Sequence, residues 1–596
     1  MNTRGRVLLG NEAIAWGLLE SGATVLTSYP GTPASEILAT VQKIKEDKGL
    51  NIHSEWAINE KVAFEIALTH SWLGGRSAVM MKQMGLNVAL DPLMSAAYTG
   101  VKGGLVVISA DDPGPYSSQT EQDSRFLAFF AKIPVLDPAN PKEAKEMVKE
   151  AYQLSEKFRL PVMVRPTSWV CHARQGMELE EIKPLEREVR FQRDPLHWAA
   201  PPRLRFRLHG ELNKKIKEIV FCNNNIIKLI TPKETRLAIL SSGVPSAHAY
   251  DVIKSLRLED EIALYKVNMP FPLGSKIQEI VNRYSTTLVL EETYPVMEIQ
   301  LLSRERVKGR LDDTIPSEGE LTAEVLAQTI FKLLGKETRR TVPRPPEGSP
   351  PRLCPGCPHR AAFWAIREVL PQGIFPSDIG CYTLGINLGA VDTFLCMGTS
   401  IAQAEGLYLS FRRTGMEIPP ICATIGDSTF FHAGIPPLID AVHQGTCFTL
   451  MILDNEVTAM TGGQTTPASP SSGKKVKIED VVKGCGVEFL RIVDSYDIPK
   501  AIDAIKEADN YSRLEGRGVA VIISRHPCPL YSPEFREKRK VLQITERCTG
   551  CKICVGKFEC PALEKGEDAK PLVLPNLCQG CGNCVHVCPK GAIEFT

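Results

Sequence analysis

Ile421-Cys-Ala-Thr-Ile-Gly-Asp-Ser428 is an apolar run that stops on Gly426-Asp427, and the next such run, Phe448-Thr-Leu-Met-Ile-Leu-Asp-Asn455, stops on an amide. Short buried runs of this kind, separated by stretches of helical composition, are expected to form a parallel, doubly wound sheet. In such sheets ligands bind at the carboxyl ends of the strands. Asp427 and Asn455 at two such ends can therefore share one octahedral Mg2+ that holds a diphosphate. Glycine at 426 is expected to let the backbone approach a phosphate.

Working outward, the same alternation fills the first part of the chain: TVLTS, a YPGTPASEIL turn entering a helix, SAVMM, a helix near Val88 to Thr99, GLVVISA and LPVMVRP. Residues 1–180 read as one α/β domain. The basic, proline-containing stretch Lys183 to Lys217 follows, and residues 181–233 are expected to be an interdomain strap. A nucleic-acid arm is the alternative, disfavoured in a neutral chain. LAILSSG, IALYKV and TTLVLEE restart the pattern in a smaller domain, 234–340. Proline-dense Thr341 to Pro351 ends it, because proline continues neither helix nor sheet. Residues 352–530 form the domain of the opening quotation. A charged hinge, Arg536 to Lys540, leads into the tail, 540–596, and TTPASPSSGKK after Gly463 is the only low-complexity tract.

With 596 residues, the chain is long enough for several domains of roughly 100–200 residues. Its 70 basic and 69 acidic side chains give no electrostatic reason to expect nucleic acid or an anionic membrane. No apolar run approaches the roughly 20 residues that span a bilayer, and no leader pattern is visible, so a soluble cytoplasmic protein is expected. Such a compartment disfavours disulfides among 18 cysteines, and clustered ones read as metal ligands. Cys422 and Cys447, in apolar runs, read instead as small buried hydrophobes.

The tail holds Cys548, Cys551, Cys554 and Cys560-Pro561, then Cys578, Cys581, Cys584 and Cys588-Pro589. Thiolates at i, i+3 and i+6 wrap three corners of a [4Fe-4S] cubane, and a more distant Cys-Pro supplies the fourth, usually to the other cluster. The expected sets are Cys548, Cys551, Cys554 and Cys588 for one cluster and Cys578, Cys581, Cys584 and Cys560 for the other. Two structural zinc sites are the competing reading, but zinc cysteines come as separated pairs rather than triplets. Such a tail handles electrons singly and needs a source of them.

The Gly-Asp…Asn spacing resembles the thiamine diphosphate signature, although Ser428 stands for its second glycine and Asp454 for its first asparagine. The resemblance makes the backbone carbonyl of Val457 a further Mg2+ ligand. Thiamine also needs a buried acid at its aminopyrimidine, and NEKVAFEIAL offers Glu60, with Glu65 as alternative and a surface salt bridge as the ordinary role for either. MKQMGLN, Met81 to Asn87, is expected to be a strand-to-loop backbone contact to the pyrimidine.

Together, YPGTPASE, NEKVAFEIAL, CPGCPHR, SDIGC, GDSTFFHAG, LDNEVTAMTGG and the tail resemble the 2-oxoacid:ferredoxin oxidoreductases over the whole length, and among them the α subunits of the indolepyruvate branch. The resemblance implies an α/β multidomain thiamine-diphosphate-binding fold, with pyrimidine-binding, transketolase C-terminal-like and diphosphate-binding domains, closed by a two-cluster ferredoxin-like α+β domain. It implies conversion of an arylpyruvate and coenzyme A to aryl-acetyl-CoA, CO2 and reduced ferredoxin. Acceptors near about −400 mV suit that oxidation.

By the same resemblance, Thr32 in YPGTP faces the substrate carboxylate; capping the ASEIL helix is its ordinary role. Gly31, where the pyruvate enzymes carry isoleucine, is expected to leave room for an aromatic side chain. Asp111 to Asp123 is expected to be an active-site loop or a plain surface loop. Cys354, Cys357, Cys381 and Cys528 match the ligands of a third cluster near the thiamine, with leftover reduced thiols as the alternative. His359 and His432 could donate protons there, or be ordinary core histidines. A smaller β (γ-type) subunit is the expected partner in a heterodimer or higher heteromer, with ferredoxin and coenzyme A and without nucleic acid or membrane. Competing expectations are a pyruvate or branched-chain 2-oxoacid enzyme, a non-oxidative thiamine decarboxylase, and an electron-transfer subunit with a degenerate thiamine site.

Overall fold

The computed structural model describes residues 5–596 except 186, 188, 189, 192, 199–201, 223–225, 233, 234, 337–350, 470–473, 533–540 and 567–569. The Thr341 to Pro351 boundary, save Pro351, and the Arg536 to Lys540 hinge lie outside the described residues, as does part of the low-complexity tract. The chain divides into two units, Met1–Pro345 and Pro346–Thr596.

The first unit holds two sheets. One has six parallel strands in the order His53–Trp56, Val25–Ser28, Ser77–Lys82, Leu105–Ala110, Val162–Val164, Val135–Leu136. Its central runs SAVMMK and LVVISA are buried almost throughout, which is why they read as continuous apolar stretches rather than alternating ones. The helix Pro141–Phe158 packs against Gly10–Glu20 on this sheet. It begins where Asn140 Oδ1 accepts the Glu143 N–H at 3.0 Å and Pro141 pre-sets the first turn.

The other sheet orders Val307–Lys308, Thr286–Leu290, Leu237–Ser241, Ile262–Val267 and Ile226–Ile230, the last antiparallel. The expected strap is therefore built structure: residues 205–222 are the helix Arg205–Cys222, which buries Leu208, Leu212 and Ile219, and Ile226–Ile230 is an edge strand. Arg205, Arg207, Lys214 and Lys217 are exposed, while Lys215 is half-buried and donates to the Arg159 carbonyl at 3.2 Å, so the helix is amphipathic despite its basic composition.

In the second unit four parallel strands run Cys422–Gly426, Thr449–Asp454, Ala520–Arg525, Phe489–Asp494. The tail adds two antiparallel pairs, Leu542–Ile544 with Ile593–Phe595 and Leu563–Lys565 with Pro571–Val573, and the short helix Asn583–Val587. Its core residues Leu542, Phe558, Leu563, Val587 and Ile593 form one cluster with Ala361 and Ile498 of the helices Pro358–Val369 and Ile498–Asp509. The tail is thus docked on the second unit's α/β layer through shared apolar burial. Cys422 and Cys447 are buried as expected of small hydrophobes.

Candidate active site and cysteine sets

In the first unit Glu60 opens the helix Glu60–Trp72, capped by Asn59 Oδ1, which accepts the Val62 N–H at 2.9 Å. Glu60 is buried, and its carboxylate fills the space a Cβ on Gly85 would need, so glycine is required there by close approach. Glu65 is instead half-exposed and ion-paired with Lys61. Of the two acids, Glu60 alone is placed for interior chemistry.

The strand Ser77–Lys82 runs straight into the helix Gln83–Val88, so Met81 to Asn87 contains no loop. Its side chains carry the interactions: Lys82 Nζ donates to Ser117 O at 2.9 Å and Gln83 Nε2 to Ser118 Oγ at 3.0 Å. Asp112 Oδ2 gathers the same loop, accepting from Ser117 N at 2.9 Å and Ser118 Oγ at 2.8 Å. Burial pushes the Lys82 ammonium down to about 8, with the Asp112 charge opposing.

Gly31 faces this lysine: a Cβ on Gly31 would stand 3.0 Å from Lys82 Cβ. The volume that Gly31 leaves is therefore bordered by the Lys82 stem. Thr32 does not cap the following helix. Ala34 occupies the cap position of Ser35–Lys48, and it is Ser35 Oγ that accepts the Gly31 N–H at 2.9 Å.

In the second unit Asp427 and Asn455 stand just beyond the carboxyl ends of neighbouring parallel strands, with Gly426 beside Leu453 in register. Both are buried, and Asp427 Oδ2 has no hydrogen-bond partner. Burial, and then the charge of Asp454, push the Asp427 carboxyl well above the usual range. A buried carboxylate oxygen with no donor is stabilised by a cation, and the donor set suits a hard one such as Mg2+.

Asp454 is already engaged, 2.6 Å from Arg525. Asn455 Oδ1 accepts the Val457 N–H at 3.4 Å, and Asn455 Nδ2 lies 3.4 Å from His359 Nε2. Val457 opens the short hairpin Val457–Thr458 with Gln464–Thr465, and Thr458 Oγ1 donates to Ser428 Oγ at 3.0 Å. Ser428 and Asp454, the two departures from the signature, thus each have a structural partner.

Gly426 has extended backbone at φ −80°, and the space its Cβ would take is filled by the Tyr382 ring. Close packing of that ring already requires a glycine here. His359 and His432 are both buried, and burial brings His359 down to about 4, so it is neutral near pH 7.

The cysteines fall into three neighbourhoods. Burial first, then the charges of Cys381, Cys354 and their neighbours, push Cys357 up to about 12. Cys381 rises to about 12 through burial, Cys528 and Cys354, with Asp427 also contributing. The Cys528 N–H donates to Asn455 O at 3.2 Å. Cys354, Cys357, Cys381 and Cys528 are therefore drawn together beside the Asp427/Asn455 strand ends. In the tail, burial and then Cys551, Cys588 and Cys548 push Cys554 up to about 11. Burial and then Cys560 and Cys578 do the same for Cys581, to about 11, and Cys584 joins that set.

Among the described residues no three of His, Cys, Asp or Glu converge as a single-ion site requires. Four thiols grouped more widely suit a polynuclear cluster, whose irons would neutralise the charge of the bound thiolates.

Lys82, Gln83 and Arg360 escaped the sequence reading. A lysine and a glutamine ending an otherwise apolar strand were the available signal for the first two. For Arg360 it was its place beside the cysteines of CPGCPHR.

Residues 17–222 match the family described as "Pyruvate flavodoxin/ferredoxin oxidoreductase, thiamine diP-bdg". Residues 378–523 match "Thiamine pyrophosphate enzyme, C-terminal TPP binding domain", and residues 571–594 match "4Fe-4S binding domain". The chain is 38% identical to "Indolepyruvate oxidoreductase subunit IorA" of Pyrococcus horikoshii, covering 99% of this chain and 96% of that protein. It is 40% identical to the subunit of the same name from Methanothermobacter marburgensis, covering 98% and 97%. A more distant relative, "2-oxoglutarate synthase subunit KorA" of Methanothermobacter thermautotrophicus, is 22% identical over 47% of this chain and 86% of that protein.

Proposed function

Since the chain belongs to the family of the indolepyruvate oxidoreductase subunit IorA, we propose that it catalyses ferredoxin-dependent oxidative decarboxylation of arylpyruvates, indolepyruvate foremost. Coenzyme A is the acyl acceptor, and aryl-acetyl-CoA, CO2 and reduced ferredoxin are the products. Bound thiamine diphosphate would supply the electron sink for decarboxylation, and [4Fe-4S] clusters the one-electron acceptors.

One observation carries the reading: Cys381 and Cys528, grouped with Cys354 and Cys357, feel the charge of Asp427, whose Oδ2 is buried and unpartnered at the strand end, which supports an electron acceptor and a cation-held diphosphate close together. In this reading Asp427, Asn455 and the Val457 carbonyl hold Mg2+, with Gly426 and Tyr382 setting the strand end. Glu60 exchanges a proton with the pyrimidine. Thr32 and Lys82 bind the 2-oxoacid carboxylate, Lys82 supplying the positive charge that the carboxylate needs. Gly31 leaves room for the aryl group along the lysine stem.

The cysteines hold three clusters: Cys354, Cys357, Cys381 and Cys528 nearest the magnesium ligands, then the two tail sets. A smaller β subunit completes a heteromer on the coenzyme A side, and ferredoxin takes the electrons. Among the described residues no helix is long and apolar enough to cross a membrane, in keeping with a cytoplasmic enzyme.

The test is anaerobic ferredoxin reduction with a panel of 2-oxoacids, with and without the β subunit, on protein whose thiamine and magnesium content is measured. Indolepyruvate should give the highest kcat/KM, and only with the subunit present. Preference for pyruvate, or purified protein that binds no thiamine under any loading condition, overturns the reading.

A further inference from the structure

Arg360 lies on the first turn of the helix Pro358–Val369 and is 2% exposed. Its guanidinium joins two cysteine loops that are far apart in sequence. Nη1 donates to Phe558 O and Glu559 O, both at 2.8 Å, immediately before Cys560. Nη2 donates at 2.5 Å to Leu353 O, immediately before Cys354. The Arg360 N–H donates to Cys357 O at 3.2 Å. Nε is buried and has no hydrogen-bond partner.

The two loops also touch directly. A Cβ on Gly356, between Cys354 and Cys357, would stand 2.9 Å from Gln579 Cβ, between Cys578 and Cys581. Burial opposes the Arg360 charge, and Cys560, Cys357, Glu559 and Cys354 act against that effect. Burying a guanidinium is costly unless negative charge repays it. Thiols that stay protonated repay nothing, whereas iron-bound thiolates do.

We propose that Arg360 is a positioning residue shared by two clusters, the one held by Cys354, Cys357, Cys381 and Cys528 and the tail cluster that includes Cys560. It fixes their loops against each other and stabilises the reduced state of both. Adding an electron makes a cluster more negative, so a fixed neighbouring cation raises its reduction potential, and an N–H aimed at cluster sulfur acts in the same direction. By holding the two loops together, Arg360 would let an electron pass from the inner cluster to the tail cluster with no bond made or broken. The remaining cluster, held by Cys548, Cys551, Cys554 and Cys588, has no contact with this guanidinium among those described and should be indifferent to it. The inference rests on the three-cluster reading above.

The test is potentiometric titration of the full chain, reconstituted with iron and sulfide and reduced chemically without any 2-oxoacid, each wave followed by electron paramagnetic resonance. In Arg360→Gln two of three waves should move to more negative potential while the third stays. Arg360→Lys should restore part of the shift by keeping the charge. Glu559→Gln, which removes a neighbouring negative charge and leaves the arginine in place, should move the Cys560-set wave the opposite way, so the proposal is exposed even if Arg360→Gln does not hold iron. Unmoved waves in both Glu559→Gln and any iron-replete Arg360 variant, equal movement of all three, or only two clusters' iron in the wild-type chain each overturn it. Chemical reduction leaves these outcomes independent of which substrate the enzyme prefers.

Discussion

The buried acids around Arg125 in the first unit and Asp427 in the second are answered in opposite ways. In the first, Arg125 meets Asp123 at 2.7 Å and Asp137 at 3.3 Å, Arg165 meets Asp111 at 2.6 Å, and none of these side chains reaches solvent appreciably. Burial alone would raise the Asp123 carboxyl, but Arg125 and Arg165 hold it well below the usual range. Arg125 also donates to Ser242 at 3.0 Å and to the Tyr294 carbonyl at 3.2 Å, so it ties the unit's two sheets together.

In the second unit Asp427 has no arginine, and its carboxyl is pushed the other way. The basic residue nearest in kind, Arg525, is spent on Asp454 and Glu479. A buried acid paired within the protein belongs to the architecture. Asp427, left without such a pairing, is the acid at which a bound cation is proposed.

Substitutions separate the two roles. Asp427→Asn should lower turnover by about a thousandfold or more, since metal-borne charge stabilisation is worth several kcal/mol. Magnesium-dependent thiamine binding should vanish in equilibrium dialysis, while the metal-free Tm does not fall, because a carboxyl that burial keeps protonated without metal is replaced by a neutral amide of similar shape. A lower metal-free Tm would place Asp427 with the architecture instead. Arg125→Met should do the reverse. It leaves the carboxylates unpaired and costs about 3–5 kcal/mol in denaturant unfolding of the first unit's transition.

Lys82→Met tests a group of intermediate kind, partly buried but facing a polar loop. A charge-assisted hydrogen bond is worth about 1.5–3 kcal/mol, so KM for the 2-oxoacid should rise roughly 10- to 100-fold. The amine is charged below its lowered pKa of about 8 and neutral above it. Carboxylate binding in the wild type should therefore weaken as pH rises through 8, and the variant's KM should show no such limb. Gly31→Ile should have the smallest effect, reducing kcat/KM for indolepyruvate about tenfold more than for pyruvate, as crowding of one pocket by a few methylenes would. Equal losses on both substrates would point to displacement of Lys82 rather than to lost room.

The candidate site was legible in sequence to the extent that its chemistry is local. Cysteines at i, i+3 and i+6, the Gly426-Asp427 strand end and the first-turn Glu60 are set by short-range geometry, and the structure gathers or buries them as groups. Local structure was less legible where composition stood in for periodicity. The basic strap is the helix Arg205–Cys222, whose three buried residues are spaced for one face. MKQMGLN contains a helix where a loop was expected, because Gly85 makes room for Glu60 from another element and not for a turn.

The sequence by itself determined the α/β class, the cysteine-rich tail and the residue types able to hold iron, magnesium and a diphosphate, since strand hydrophobicity and ligand spacing are properties of neighbouring residues. Only the tertiary structure decided which charges are answered and which are not. Arg525 neutralises Asp454 and leaves Asp427 open, Lys82 meets Ser117 and Asp112, and Arg360 bridges the loops before Cys354 and Cys560. These pairings join residues brought close by packing alone, and the burial that makes each one matter exists only once the chain has folded.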